Sequence, residues 1–299
     1  MKYVVAVSGG VDSMVLLHQL VTGVCKSLQV APENIVVAHI DHGIREDSWA
    51  DEELVKRVAS KYGLSYESFQ ANLGQDVSEE QARKVRYKLL RQCCKKYNAQ
   101  LVTAHHQDDV IETMIINLLR GTGWRGLVSL GSGPQAVRPL LAVTKSELVV
   151  YAKKHALRWR EDSTNVNEAY LRNYVRLRVL PSMLAKNPNA TTELLAINKK
   201  VLDLKNNIAT ELQNIISKYQ ISNTEYIVPR YSVIMWPAAV SSEVLYAVAR
   251  KLDASWHPNK QQILKLVHFI KTAQPLKEFQ LSENIKISTT LRAVQFKKH

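Results

Sequence analysis

Residues Tyr3 to Leu17 read YVVAVSGGVDSMVLL, and the reading of the fold starts there. Tyr3 to Val7 is a valine-rich apolar run, which fits a parallel strand buried on both faces. Met14, Val15, Leu16, Leu17 and Leu20 follow with the apolar spacing of a helix. Between them lies the polar, glycine-bearing turn Ser8-Gly9-Gly10-Val11-Asp12-Ser13. A turn that carries a strand into a helix N-terminus presents unpaired N–H groups at the positive end of a helix dipole. It is therefore a natural anion site. Glycine lets the backbone approach phosphate oxygens with no Cβ in the way.

No Gly-Lys-Ser/Thr follows, so the turn is not a Walker A loop. Nor does it carry the spaced glycines of the dinucleotide fingerprint. The hexapeptide SGGVDS resembles the PP-loop of the N-type ATP pyrophosphatases. That resemblance implies ATP held through its phosphates by Ser8, Gly9, Gly10, Val11, Asp12 and Ser13. It also implies cleavage between the α- and β-phosphates, with AMP passed to a substrate oxygen.

At 299 residues the chain calls for one large and one smaller domain. We expect an α/β parallel-sheet PP-loop domain (adenine nucleotide α-hydrolase-like) over residues 1–185. A smaller, mainly helical domain is expected over residues 190–299, the break lying near Pro181 and Asn187-Pro188-Asn189. No apolar run approaches the length of a membrane span, and the first strand begins at once, so no leader and a cytoplasmic location are expected. Cys25, Cys93 and Cys94 form neither a disulfide framework nor a zinc spacing. Net charge is +13. Residues 181–299 hold 16 Lys+Arg against 8 Asp+Glu, so the shorter part carries most of the excess. Such an excess favours a polyanionic partner such as nucleic acid.

Ile35 to Ile40 reads as a second buried strand ending in Asp41 and His42, polar groups at a strand end where open α/β sheets hold ligands. Ser48–Tyr62 and Ser78–Tyr97 read as helices and Ser65–Gln70 as a short strand. The second helix carries Arg83 and Arg86 three residues apart, on one face and able to contact phosphate. Gln100–Ala104 is a further strand. His105, Asp109 and Glu112 follow it at i, i+4, i+7 and would share one helical face. Carboxylates there suit Mg²⁺ beside a triphosphate. Leu118–Leu127 is glycine-rich and holds Arg120 and Arg125. Val137–Leu141 reads as a last strand limited by Pro139, and Lys145–His155 as a helix. Arg172 and Arg176, i and i+4 on another helix, suit phosphate or RNA. In the C-terminal part Thr192–Tyr219 is a long helix, Ile227–Trp236 is extended, Ser241–Leu252 and Pro258–Thr272 are helices, and Phe279–Phe296 alternates as two strands.

The set SGGVDS, AHIDHGIR (Ala38–Arg45), EEQARKVRY (Glu79–Tyr87), AHHQDDVIET (Ala104–Thr113), LLRGTGWRGL (Leu118–Leu127), RPLL (Arg138–Leu141) and the Trp159–Arg176 run resembles, in order, the bacterial tRNA(Ile)-lysidine synthases. The resemblance covers residues 1 to about 181. It implies adenylation by ATP of the C2 oxygen of the wobble cytidine in the CAU anticodon of a tRNA(Ile). Attack by the ε-amine of free L-lysine then releases AMP. By the same resemblance Asp12 and Asp109 are candidates for Mg²⁺, and Asp109 and Glu112 for lysine, with His105 in support. Arg172 or Arg176 would stabilise the adenylation transition state or fix the RNA. Asp41, His42, Arg83 and Arg120 are further candidates. Trp124 stands where the family more often has leucine or isoleucine. Oligomeric state is left open, a homodimer being one option. The related tRNA 2-thiocytidine chemistry would need sulfur-carrying cysteines, which the adjacent pair Cys93-Cys94 does not resemble.

Overall fold

The computed structural model describes the chain except residues 42, 44–47, 72–76, 78, 123, 129, 132–134, 162–167, 169, 257 and 299, and except the side chains of 79, 125 and 260. Two compact units result, Met1–Val201 and Leu202–His299. Among the described residues no helix is long and apolar enough to cross a membrane.

The first unit is built on a parallel sheet of β1 (Lys2–Ala6), β2 (Ile35–Asp41), β3 (Ser65–Gln70) and β4 (Ala99–Val102), in the order β3-β2-β1-β4. Its register pairs Tyr3 with Ile35, Val5 with Val102, and Asp41 with Gln70. Helices α1 (Val11–Val21), α2 (Ser48–Lys61), α3 (Glu79–Tyr97) and α4 (Gln107–Leu119) follow the four strands in turn. Alternation along the strands sends side chains to two different cores. Val5, Val37 and Val102 pack with Val15, Leu16 and Leu17 of α1, Val55 of α2 and Leu148 of a later helix. Val4, Val36 and Leu101 pack with Leu90 and Cys93 of α3. Each fully buried Leu or Val here stabilises the fold by about 1.5–3 kcal/mol.

Val137 continues the sheet beside β4 only as a single parallel bridge to Val102. The strand expected over Val137–Leu141 is thus cut to its first residue. Pro139 has no N–H to give a ladder, and the chain turns at Pro139–Ala142. Past the short α5 (Trp124–Leu127) and this bridge comes α6 (Lys145–Lys154). Thr144 caps α6 with a reciprocal Glu147 contact.

Helices α7 (Leu171–Tyr174) and α8 (Leu180–Lys186) are joined by a π-helical turn, Val175–Val179. Leu180 N–H reaches back five residues to Val175 O. Pro181, next along, has no N–H for the regular ladder, which fits a widened turn at this point. α9 (Ala190–Ser217) is long, as expected. Its Leu194 and Leu195 pack with Ile111, Ile115 and Val175 of the first unit, while Ile216 belongs to the core of the second. The division at Val201/Leu202 therefore falls inside α9, downstream of the Asn187-Pro188-Asn189 stretch.

In the second unit α10 (Arg230–Met235), α11 (Ala238–Leu252) and α12 (Lys260–Thr272) accompany an antiparallel sheet. That sheet has β5 (Gln220–Ser222), β6 (Glu225–Pro229), β7 (Glu278–Ser282), β8 (Ile285–Thr289) and β9 (Ala293–Lys298), in the order β5-β6-β9-β8-β7. Two expectations are corrected here. Ile227–Trp236 is not extended throughout: the strand ends at Pro229 and α10 begins. Phe279–Phe296 holds three strands rather than two, because Ser282–Ile285 and Thr289–Ala293 each turn the chain. Tyr226, Val228, Ile287, Val294 and Phe296 make one apolar sheet face against Val244, Leu245, Val248, Leu266 and Ile270. Buried Arg230 donates to Ile270 O at 2.9 Å, to Thr290 O at 3.2 Å and to Ala273 O, tying helix end, turn and sheet together.

Candidate active site

The loop after β1 is held by its own hydroxyls. Ser8 N–H donates to Ser13 Oγ (3.1 Å), Ser13 Oγ–H donates to Gly10 O (2.9 Å), and Gly10 N–H donates to Ser8 Oγ (3.3 Å). Gly9 has φ +93°, and a Cβ there would stand 3.4 Å from Asp51 Cβ. The positive φ thus favours glycine here, while the approach to Asp51 is an ordinary contact. Met14 N–H to Gly10 O, 3.1 Å, begins the ladder of α1. The N–H groups of Val11, Asp12 and Ser13 precede it, which gives the anion-binding end of the helix.

Asp12 stands on that first turn, and its two oxygens accept from Lys145 Nζ at 2.7 and 2.8 Å. His106, 3 % exposed, places Nε2 3.7 Å from Asp12 Oδ2 and 3.6 Å from Asp109 Oδ2. Its Nδ1 lies 3.4 Å from Asp108 Oδ2. Burial opposes a charge on His106, but the carboxylates of Asp108, Asp109 and Asp12 outweigh it and raise its pKa. Burial likewise opposes ionisation of Asp109, yet His106, His105, the His106 backbone N–H and Arg172 hold its pKa below the usual carboxylate range. Asp108 accepts from Lys145 N–H at 2.8 Å, so the start of α6 is docked to the start of α4 beside Asp12.

Asp12 and Asp109 border a crevice of about 340 Å³ at the C-terminal ends of β1, β2 and β4. Ser8, Asp12, Ser13, Asp41, His105, Asp109, Arg86 and Arg172 all line it. His105 accompanies Thr103, its Nδ1 2.8 Å from Thr103 Oγ1. Burial, with Arg138, Arg86 and Arg83 nearby, lowers its pKa to about 3 against the pull of Asp109, so His105 is neutral at pH 7. Arg83 and Arg86 both approach the ring of Tyr87, at 5.0 and 5.7 Å. Asp41 reaches the crevice with both oxygens engaged: Gly43 N–H donates at 2.8 Å and Ser48 Oγ–H at 3.0 Å. It thereby holds the entry to α2.

Glu112 is 1 % exposed and meets a guanidinium fork. Arg176 Nε donates to Oε1 at 2.6 Å and Nη2 to Oε2 at 3.1 Å. Arg172 Nε lies 3.6 Å from Oε2, and Arg172 Nη2 donates to Thr113 Oγ1 at 3.2 Å. Burial pushes the Glu112 carboxyl up against the pull of both arginines. Glu112 thus anchors the two arginines, and of the three only Arg172 borders the crevice.

Asp109 and Glu112 share one face of α4 at i, i+3, as expected, but His105 does not belong to it. α4 begins at Gln107, so His105 lies in the approach to the helix, while Glu112 points to the arginines. Lys145, His106 and Asp108 belong to the site but are not among the residues marked out by sequence alone. The run His105-His106-Gln107-Asp108-Asp109 at a strand end already held His106 and Asp108, but nothing local marks Lys145. Arg120 is exposed at the end of α4 and does not line the crevice. His42 lies outside the described residues, as do residues 162–165 of the cap-type run before Arg172. Burial raises the thiols of Cys93, to about 11, and of Cys94. Neither cysteine is a ready sulfur nucleophile.

A parallel sheet, a glycine loop that needs a left-handed residue, and acids, a lysine and an arginine converging on one helix start define a nucleotide-binding α/β protein. The sequence pattern of the PP-loop domain matches residues 1–183, and the chain belongs to that family. It is 34% identical over 232 residues to the tRNA(Ile)-lysidine synthase of Thermotoga maritima, covering 75% of this chain and 55% of that protein. With the enzyme of the same name from Bacillus cereus it shares 29% identity, over 98% of this chain and 65% of that protein. The chain thus spans between about half and two thirds of the length of these relatives. Among solved structures, the U34-tRNA thiolase NcsA from Methanococcus maripaludis is similar in fold, with a TM-score of 0.56 and 16% identity over 68% of this chain and 73% of that one.

Proposed function

We propose that the chain carries the catalytic part of a tRNA(Ile)-lysidine synthase, acting on ATP, L-lysine and a tRNA(Ile) with a CAU anticodon. The observation that carries this reading is the convergence of Asp12, Lys145, His106, Asp109 and Arg172 on the N-terminus of α1. Triphosphate oxygens would accept from the N–H groups of the Ser8–Ser13 loop. Lys145 would add positive charge there while keeping Asp12 oriented.

Three clustered His, Cys, Asp or Glu side chains fit to cage a metal are not found among the described residues. Asp12 and Asp109, both close to His106 Nε2, nevertheless fit Mg²⁺, which takes one or two carboxylates and completes its shell with phosphate and water. Bound there, Mg²⁺ would neutralise charge on the triphosphate.

The cytidine C2 oxygen attacks the α-phosphorus and pyrophosphate leaves. Arg172, held in place by the Glu112 anchor, faces the negative charge that develops on phosphorus. The neutral ε-amine of lysine then attacks C2 and AMP leaves with the former C2 oxygen. Asp109 would bind the incoming ammonium, which must give up one proton to solvent before its neutral amine attacks. The second proton would leave the nitrogen to solvent or to the departing phosphate as the C–N bond forms, with neutral His105 beside Asp109 supporting its orientation. Adenylation matters because a pyrimidine carbonyl oxygen is otherwise a poor leaving group. Free ATP, lysine and tRNA place the reaction in the cytoplasm. The basic second unit is proposed to grip the tRNA.

The test is transfer of radiolabelled L-lysine into unmodified tRNA(Ile) bearing CAU, with Mg-ATP. Label that requires ATP and disappears in Asp109→Ala is the expected result. AMP formation with no label in RNA would move the acceptor to another nucleophile, and no ATP turnover with tRNA present would remove the reading.

A further inference from the structure

A second cavity, of about 500 Å³, lies in the first unit between α1, α2 and the chain that follows α6. It shares its walls with the crevice but not its residues. On α1, Asp12 and Ser13 line the crevice, whereas Met14 and His18 line this cavity. Aromatic rings cluster there. His18 and His155 are 5.0 Å apart, His18 and Tyr62 6.4 Å, and Tyr151 and His155 4.2 Å. His18 Nδ1 lies 2.9 Å from Tyr151 Oη, which fixes the ring.

Charge around this cluster is one-sided. Arg57, Lys61 and Arg158 line the cavity against one carboxylate, Glu53, which Arg57 already engages as an i, i+4 pair. Arg57 is 69% exposed, and Lys61 and Arg158 are exposed as well. Cations on an open rim suit a polymer that crosses the surface better than a small ligand sealed inside. Beyond Arg158 the strap continues to Arg160, whose N–H donates to Gly9 O at 3.1 Å and whose Nε lies 2.9 Å from Asp51 Oδ1. The strap therefore links the aromatic cavity directly to the nucleotide loop.

Resting on the proposed RNA substrate, we infer that this cavity is a second RNA contact, taking one unpaired or end-stacked nucleotide of the tRNA. The base would stack among His18, Tyr62 and His155, and its phosphates would meet Lys61 and Arg158. Rings plus cations are the general means of holding single-stranded nucleic acid without reading its sequence. His18 reports on the site. Its pKa is lowered by burial, by His155 and by Lys61. The groups around it are Glu53, Arg57 and Lys61 of α2, Tyr62 just past it, Tyr151 of α6, His155 at the end of α6 and Arg158 beyond. A phosphate arriving at Lys61 would offset that positive field while a stacked base would bury the ring further, so binding changes the His18 titration.

The test uses the full chain with Lys61→Glu and Arg158→Glu combined, two exposed positions outside the proposed catalytic machinery. Affinity for unmodified tRNA(Ile) is measured across a salt series, beside affinity for ATP. The expected result is tRNA binding at least tenfold weaker, with a salt slope reduced by about 0.7–0.9 for each cation lost and unchanged ATP affinity. In the parent protein the NMR titration of His18 should shift when tRNA is added. Normal tRNA affinity and slope in the variant would overturn the inference while leaving the proposed reaction intact. So would AMP alone moving the His18 titration while the variant keeps normal tRNA affinity, since the cavity would then be a mononucleotide site. A parent protein that does not bind tRNA would overturn both.

Discussion

Lys145 Nζ stands 2.7 and 2.8 Å from the two carboxylate oxygens of Asp12, although 133 residues separate them. The pair joins the first turn of α1 to the first residue of α6. It is partly exposed, with side-chain exposures of 45% for Lys145 and 28% for Asp12, so its contribution to folding is small. Its importance lies in orienting Asp12 and in setting a positive charge where a triphosphate would lie. Lys145→Met should leave the melting temperature nearly unchanged. It should lower kcat/KM for tRNA-dependent pyrophosphate release ten- to a hundredfold, equivalent to about 1.4–2.8 kcal/mol. Steady-state pyrophosphate release at varied ATP checks this, and an unaltered kcat/KM would show that Lys145 is only a surface partner.

The Glu112–Arg176 fork makes the opposite prediction, a strong effect on stability. Removing one partner of a buried pair strands the other charge. Because Arg176 is 37% exposed, the cost falls below the range for a fully buried pair, at about 2–3 kcal/mol. Urea unfolding of Arg176→Met should show that loss. The double variant Glu112→Gln/Arg176→Met should recover part of it, and additive losses would argue against coupling.

Gly9→Ala tests the loop. Its φ of +93° penalises a Cβ. We expect about 1–2 kcal/mol of destabilisation and a loss of ATP binding larger than that figure explains. Calorimetric titration with a non-hydrolysable ATP analogue, beside thermal unfolding, separates the two effects.

His105 gives a pH dependence with a defined sign. Its folded pKa is lowered to about 3, whereas the unfolded side chain titrates near 6.5. Between those values the unfolded chain binds the extra proton, so stability rises with pH. The contribution is complete above the unfolded pKa and drains away as pH falls from there toward 3. One proton corresponds to a slope of up to about 1.4 kcal/mol per pH unit. Unfolding free energies at pH 7, 6 and 5 should fall more steeply for the parent than for His105→Gln, and equal slopes would refute the assignment.

Local pattern carried the strand, the loop and the helix of Tyr3–Leu17, because a continuous apolar run, glycine and helical apolar spacing act within a few residues of each other. It also carried the acids on α4 and the arginines after Tyr170. It failed at Val137–Leu141, where the apolar run suggested a strand but Pro139 allowed only a bridge, and at Arg230–Met235, where Pro229 ended one strand and opened a helix.

The amino-acid sequence by itself determined the parallel α/β class, the position of the phosphate-binding turn and the basic character of the C-terminal part. Periodicity, glycine conformation and net charge are properties of neighbouring residues or of composition. Only the tertiary structure decided that Lys145 meets Asp12, that Glu112 is anchored by Arg176, and that α9 is shared between the cores of both units. It alone brought His18, Tyr62 and His155 around one cavity. Those relationships depend on which helices pack against which strand ends, and contacts between residues dozens to more than a hundred positions apart leave no periodic trace along the chain.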